Sequence, residues 1–139
     1  MILASPVVLT TALVTILAII LYFFMGMKVG QMRAVHHVKA PAVTGAPEFE
    51  RAFRVQMNTL EHLPIMIPLL WLATLYFGWL PWAAPAAGIV WIIGRAMYMD
   101  AYLKDPEKRG PGFGVSAAAE ILLLLLAVVG IAMTWATLA

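Results

Sequence analysis

Cysteine is absent from this 139-residue chain, and charged side chains are scarce at 12%. Without cysteine there is no disulfide, no thiolate metal site and no cysteine nucleophile. A soluble domain carries about 25% charged residues, whereas 63% of this chain is hydrophobic. The composition leaves no room for a separate soluble domain and predicts an all-α integral membrane protein.

The few basic residues adjoin apolar runs instead of forming a basic face of their own, which argues against nucleic-acid binding. They fall into two groups: Lys28, Arg33, Lys39, Arg51 and Arg54, and then Arg95, Lys104, Lys108 and Arg109. The positive-inside rule places both groups in the cytoplasm, and both termini and the connection near residue 80 on the opposite side.

Hydropathy predicts a single four-helix transmembrane domain over residues 1–139, with helices at about 5–33, 47–78, 82–104 and 115–136. The first of these overlaps the run Met1–Met27, which has no charged side chain. A cleaved signal peptide is the alternative for this run. It fits poorly because a basic n-region is missing and the apolar run is too long.

Proline and glycine mark the predicted helix ends. Pro47 suits the first turn of helix 2, and Lys104-Asp105-Pro106 ends helix 3 because proline cannot donate the next helical hydrogen bond. We expect Pro111-Gly112-Phe113-Gly114 to be a loop. Pro64 and Pro68 predict a bend in helix 2.

A polar stripe leads into the apolar part of helix 2. Arg51, Arg54, Asn58, Glu61 and His62 fall within roughly a 100° arc of one helix face. An ionised group at bilayer depth costs about 2.5–3.5 kcal/mol on insertion scales. The stripe is therefore expected to face protein and to build a polar site at the cytoplasmic edge of the membrane.

Helix 3 carries a second stripe of the same period. Arg95, Tyr98 and Tyr102 share one face, while Asp100 points nearly opposite, and Arg109 would continue the line if the helix did. Arginine offers a fork of donors suited to carboxylates. Together the two stripes suit a small, flexible ligand with several carboxylates and an amine.

Simpler interpretations exist for each group. Arg51 and Arg54 fit interfacial arginines that reach the headgroups, and Glu61 with Arg54 fits a structural ion pair. Tyr98 and Tyr102 fit an aromatic belt. The coincidence of two stripes at one membrane depth favours a site.

Three other titratable residues are assigned simpler roles. His36 and His37 are interpreted as loop histidines, and we predict no metal site. Glu120, the single charge in helix 4, calls for a pairing partner or a helix N-terminal position rather than a catalytic role.

Residues 48–64, EFERAFRVQMNTLEHLP, resemble the helix 2 signature of the MAPEG family, the membrane-associated proteins of eicosanoid and glutathione metabolism. Residues 95–102, RAMYMDAY, are similar to the helix 3 segment of that family. The resemblance implies a homotrimer of four-helix subunits with glutathione as co-substrate, bound at subunit interfaces that face the cytoplasm.

Carried over residue by residue, the resemblance implies a set of glutathione contacts: Arg33, Arg54, Gln56, Asn58, Glu61, His62, Arg95, Tyr98, Tyr102 and Arg109, with Arg51 as a neighbouring arginine of structural or binding role. Arg109 matches the catalytic arginine of the leukotriene-forming branch, and Tyr98 is the alternative donor to the thiol. Two departures stand out. Ala34 follows Arg33 where that branch has a second arginine, which argues against leukotriene synthesis, and His62 replaces a tyrosine.

The leading hypothesis is a membrane-bound glutathione transferase that conjugates glutathione thiolate to lipophilic electrophiles, with peroxidase activity on lipid hydroperoxides as a further reaction. A non-enzymatic lipid-binding scaffold of the same fold is the alternative. A small transporter or channel is a third, disfavoured because helices 1 and 4 carry almost no polar residues. We expect the bacterial inner membrane as the location.

Overall fold

Four long α-helices make up the computed structural model, which describes residues 5–139. They are α1 (Pro6–Val35), α2 (Pro47–Tyr76), α3 (Ala83–Lys104) and α4 (Gly110–Ala136). A four-residue 3₁₀ helix, Pro106–Arg109, joins α3 to α4. The all-helical class predicted from the sequence is confirmed. Met1–Ala4, the start of the uncharged run, lie outside the described residues.

The helix starts follow from local chemistry. At α1 the Ser5 hydroxyl accepts a hydrogen bond from the Val8 amide at 3.5 Å, and Pro6 occupies the first turn. Pro47 occupies the first turn of α2, where its lack of an amide hydrogen leaves no donor unpaired. The Glu50 carboxylate accepts from the Gly45 amide at 2.9 Å. These contacts fix where the loop between α1 and α2 gives way to the helix that carries the first polar stripe.

Three segments within residues 5–139 are long and apolar enough to cross a membrane: Pro6–Val35, Pro47–Tyr76 and Pro106–Ala136. The 30 residues of α2 span about 45 Å at 1.5 Å per residue. That exceeds a hydrocarbon core of about 30 Å. The first turns of α2, which hold Arg51 and Arg54, therefore extend beyond the apolar layer when the rest of the helix crosses it.

The start of α4 corrects a prediction. Pro111–Gly114 was expected to be a loop, but these residues form the first turn of α4, which begins at Gly110. Pro111 is tolerated there because first-turn amides need no helical partner. Gly112 is present for close packing: a Cβ on it would lie 2.3 Å from the Tyr98 backbone nitrogen and 2.9 Å from the Gly94 carbonyl oxygen.

The core of the bundle is built from small and aliphatic side chains around Trp91, which is fully buried. Helix α3 packs against all three other helices. Large apolar side chains on α1 and α4 point outward, such as Leu13, Leu17, Leu125 and Val128. Outward apolar faces are what a lipid environment requires.

Helix α2 continues through both of its internal prolines, Pro64 and Pro68. Each proline removes one backbone hydrogen bond, so the carbonyls of Leu60 and Pro64 have no helical amide to accept from. The bend expected at this place stays a prediction.

Candidate functional site

Arg95 joins the two polar stripes at their buried end. Its side chain is 0% exposed, and Nη2 donates to Asn58 Oδ1 at 2.9 Å and to Thr59 Oγ1 at 2.7 Å. The guanidinium carbon lies 4.4 Å from the centre of the Tyr98 ring. In this conformation Arg95 has no surface that a ligand can touch. Arg95 holds Asn58 in position, and the direct glutathione contact expected for Arg95 stays a prediction.

The hydrogen bonds continue from Arg95 to the surface. Because the Asn58 oxygen accepts from Arg95, its amide nitrogen is left to donate, and it does so to Glu61 Oε2 at 3.4 Å. Glu61 is exposed. The chain Arg95–Asn58–Glu61 fixes the orientation of the amide and presents a carboxylate at the end of the stripe, suited to an ammonium or amide donor.

Two arginines of α2 differ in what they already bind. Arg51 donates to the carbonyls of Pro47 and Lys104, both at 3.3 Å, and to Glu48 Oε1 at 3.2 Å. Arg54 is exposed and makes no side-chain hydrogen bond or ion pair within residues 5–139. Arg51 therefore ties α2 to α3, while the donors of Arg54 are available to a ligand.

Both arginines line a cavity of about 580 Å³ at the end of the bundle where α2 begins and α3 ends. Its walls come from the α1–α2 loop, the start of α2 and the end of α3: Val43, Thr44, Pro47, Glu50, Arg51, Phe53, Arg54, Tyr102 and Pro106. Ligand pockets in proteins commonly measure about 300–1,000 Å³. The cavity is thus large enough for a small, flexible, multiply charged molecule.

Tyr98, Tyr102 and Arg109 form a row that reaches the cavity at Tyr102. The Tyr98 and Tyr102 rings lie 5.4 Å apart, and the Arg109 guanidinium carbon lies 5.8 Å from the Tyr102 ring centre. Tyr98 is only 3% exposed, whereas Arg109 is exposed and donates to the Pro106 carbonyl at 2.7 Å. The 3₁₀ helix thus brings Arg109 to the tyrosine face although α3 has ended.

Arg33 and Gln56 lie away from this cavity. Arg33 donates to the Ala42 carbonyl at 2.8 Å and covers the Phe49 ring at 4.6 Å, so it holds the α1–α2 loop. The Gln56 amide packs on α1, where a Cβ on Gly26 would be 3.1 Å from its nitrogen. Within one chain, these two residues are not brought together with Arg54 and Tyr102.

His62 and Glu120 form a pair across α2 and α4. The His62 Nδ1 atom lies 2.9 Å from both Glu120 oxygens, and the Trp91 indole donates to Glu120 Oε1 at 2.6 Å. Glu120, the single charged residue of α4, thus has a pairing partner, as one of the two sequence-based interpretations predicted. Glu120 lies ten positions after Gly110 and is not at a helix terminus.

Two hydrogen-bonding residues of this region were not predicted from the sequence, Trp91 and Thr59. Trp91 lies one helical turn before Arg95 on the same face, a spacing that places it in the second stripe. Thr59 is fully buried; it accepts from Arg95 and donates to the Val55 carbonyl at 2.9 Å. Its position beside Asn58 gave no periodic signal.

No group of three or more His, Cys, Asp or Glu side chains comes together between residues 5 and 139. His36 lies 4.0 Å from the Glu48 carboxylate.

Comparison with known proteins identifies relatives along most of the chain. A family model described as "MAPEG family" matches residues 11–129. Human microsomal glutathione S-transferase 2 is 42% identical over 121 residues, covering 87% of this chain and 81% of that protein. An uncharacterised protein of Synechocystis sp. is 41% identical over 120 residues, 86% of each chain. Leukotriene C4 synthase of Cavia porcellus is 37% identical over 120 residues, 86% of this chain and 79% of the synthase.

Proposed function

Since the chain belongs to the MAPEG family, we propose that it is a membrane-bound glutathione transferase that joins the glutathione thiolate to lipophilic electrophiles. Reduction of lipid hydroperoxides is a second reaction open to the same thiolate. The observation that carries the proposal is the chain Arg95–Asn58–Glu61 on the same helix face as Arg54, whose guanidinium has no partner among the described residues. The names of the relatives support glutathione as the co-substrate.

The chemistry of the polar face matches that of the tripeptide. Glutathione has two carboxylates, one ammonium group, two amides and a thiol. Arg54 offers a fork of donors for a carboxylate, and Glu61 offers acceptors for the ammonium. Tyr102 and Arg51 line the same cavity as Arg54. Arg33 and Gln56 are proposed as further contacts, to be completed from a neighbouring subunit.

Activation of the thiol requires a donor near the sulfur. A free thiol of this kind has a pKa of about 8.5, so little thiolate exists at neutral pH. Lowering it by about two units needs roughly 2.7 kcal/mol of preferential stabilisation. Arg109 is the proposed donor, through a charge-assisted hydrogen bond, and Tyr98 is the alternative.

A homotrimer is proposed as the working assembly. Arg54 and Glu61 are exposed on a helix long enough to span the membrane. Glu61 lies about two turns further along α2 than Arg54, and a charge that faces lipid at that depth costs free energy. Contact with other copies covers them and turns an open cavity into an enclosed one.

The orientation of the chain is proposed from its charges. With α3 as a fourth crossing, both basic connections face the cytoplasm, where glutathione is dissolved, and the electrophile arrives from the bilayer. The uncharacterised relative in Synechocystis sp. supports a bacterial membrane as the location.

Thiolate formation provides a direct test. Detergent-purified protein is titrated with glutathione while the near-ultraviolet thiolate absorbance is followed, and conjugation of 1-chloro-2,4-dinitrobenzene is then assayed. We expect saturable thiolate formation and conjugation. Binding of glutathione without thiolate refutes the transferase, and lipid binding without any glutathione binding identifies the scaffold alternative.

A further inference from the structure

Glu120 is the only charged residue of α4, and its carboxylate is held from two directions. The Trp91 indole donates to it at 2.6 Å, and His62 Nδ1 contacts it at 2.9 Å. The residue is 8% exposed. Neither the cavity lined by Arg54 nor the thiol-activating residues use this pair, so its role is open.

The pairing leaves one nitrogen of His62 available. An ionised Glu120 accepts the Nδ1 proton, so any proton exchange takes place at Nε2. Within residues 5–139, Nε2 makes no hydrogen bond, and it is not among the fully buried polar atoms. An imidazole oriented by a carboxylate at one nitrogen and open at the other is the arrangement of a general acid–base group.

The position of the imidazole also suits proton transfer. His62 lies one helical turn from Asn58 on α2. The Phe113 ring contacts both His62, at 5.6 Å, and Tyr98, at 6.4 Å between ring centres. The pair therefore lies on the tyrosine side of the bundle, at the membrane end of the polar stripe.

The opposite side of the pair opens on apolar surface. The Glu120 side chain lines a groove of about 200 Å³ between α2 and α4, together with Ile65, Leu69, Ala117, Ile121 and Leu124. Glu120 is the member of the pair that lines this groove, so an apolar molecule dissolved in the lipid can approach the pair from the Glu120 side.

Building on the proposed transferase function, we propose that His62 donates a proton to the oxygen atom of the second substrate, and that Glu120 is the residue that positions it. The second substrate is then an apolar epoxide or hydroperoxide. The C–O bond breaks in the epoxide and the O–O bond breaks in the hydroperoxide, and both reactions form an alkoxide. His62 is the catalytic residue of the pair, since its Nε2 touches the reacting oxygen.

The proton and electron balance is simple for an epoxide. The thiol proton leaves to water when glutathione binds, and His62 takes up a proton from water at Nε2. The thiolate attacks an epoxide carbon, the C–O bonding pair stays on oxygen, and the alkoxide takes the Nε2 proton. The product is a hydroxy thioether, and no external oxidant or reductant is needed.

A hydroperoxide follows the same proton path. The thiolate attacks the terminal oxygen, the O–O bonding pair goes to the leaving alkoxide, and that alkoxide takes the proton from Nε2. Sulfur is oxidised to a sulfenic acid while the peroxide is reduced to an alcohol. A second glutathione then displaces water from the sulfenic acid and gives glutathione disulfide.

Aryl chlorides supply an internal reference, because chloride leaves without a proton. The experiment compares kcat, at saturating glutathione, for an apolar epoxide, cumene hydroperoxide and 1-chloro-2,4-dinitrobenzene. Glu120→Gln is expected to lower kcat for the epoxide and for the hydroperoxide by tenfold or more relative to kcat for the aryl chloride. His62→Gln is expected to lower the same two values by about a hundredfold, the lower end of general acid contributions. Glu107→Gln makes the same chemical change at an exposed site and leaves all three rates unaltered.

The chloride rate and the glutathione affinity, measured on the same preparation, establish that each variant is folded. Equal slowing of all three substrates, or no slowing, overturns the proposal. A wild-type protein that conjugates the chloride but reacts with neither oxygen substrate overturns this inference and leaves the transferase function standing. A wild-type protein that reacts with none of the three overturns both.

Discussion

The Arg51 guanidinium reaches from the first turns of α2 to the carbonyl of Lys104 at the end of α3, where Nη1 donates at 3.3 Å. Arg54, three residues later, has no such partner within the described residues. Two arginines of one stripe therefore have separate tasks: Arg51 holds two helices together, and Arg54 remains available to a ligand.

This difference predicts opposite phenotypes for the two alanine variants. Arg54→Ala is expected to weaken glutathione binding by about tenfold or more, since a hydrogen bond to a charged group contributes about 1.5–3 kcal/mol, with an unchanged melting temperature. Arg51→Ala is expected to lower the melting temperature. Calorimetric titration and thermal unfolding in detergent measure the two effects, with Lys39→Ala as a charge-matched control. Loss of stability in Arg54→Ala contradicts the assignment.

The thiol-activating residue is identified by the thiolate signal. Arg109→Ala is expected to raise the pKa of the bound thiol toward its free value, which at neutral pH lowers the thiolate fraction and the conjugation rate together. Because the thiolate is the reactive form, the rate should recover as the pH rises through about 8.5. Tyr98→Phe is expected to have little effect. If Tyr98→Phe abolishes the signal and Arg109→Ala retains it, the roles are reversed.

The buried guanidinium of Arg95 gives a third prediction. Arg95→Met removes the donor to Asn58 and Thr59 while filling much of the same space. We expect weaker glutathione binding, by about tenfold, because the Asn58 amide is then free to turn. Arg95 itself has no exposed surface. An unchanged glutathione affinity in this variant excludes the positioning role.

Close packing of α3 on α4 gives a stability prediction with a matched control. Gly112→Ala places a methyl group 2.3 Å from the Tyr98 backbone nitrogen, whereas Gly114→Ala meets no atom within 4 Å. Overpacking a rigid contact costs about 1–3 kcal/mol or more, while alanine for an exposed helical glycine gains up to about 1 kcal/mol. Thermal unfolding should therefore show a lower melting temperature for Gly112→Ala and a higher one for Gly114→Ala, each relative to the unsubstituted protein.

The polar stripes could be predicted because helical periodicity needs no tertiary information. Arg95 and Asn58 each fell on the expected face, and the hydrogen bond between them joins those faces. The burial of Arg95 could not be predicted, because a face that points inward and one that lines a cavity have the same sequence spacing. For that reason the same spacing fits a residue that binds a ligand and a residue that holds another side chain in position.

Two features depended on partners that are distant in sequence. Glu120 required a partner on energetic grounds, but only the packing of α4 on α2 and α3 selects His62 and Trp91. Pro111–Gly114 carried the usual signals of a loop. One of its glycines, Gly112, permits two helix backbones to approach closely, and the sequence alone does not distinguish these uses.

The length of α2 has a consequence for kinetics. A helix of about 45 Å in an apolar layer of about 30 Å holds its polar stripe at the headgroup level. A water-soluble reactant and an oil-soluble one can then meet there without either crossing a phase boundary. Turnover should consequently follow the concentration of the electrophile in the lipid, so that its oil–water partition coefficient and the amount of membrane present set the apparent affinity.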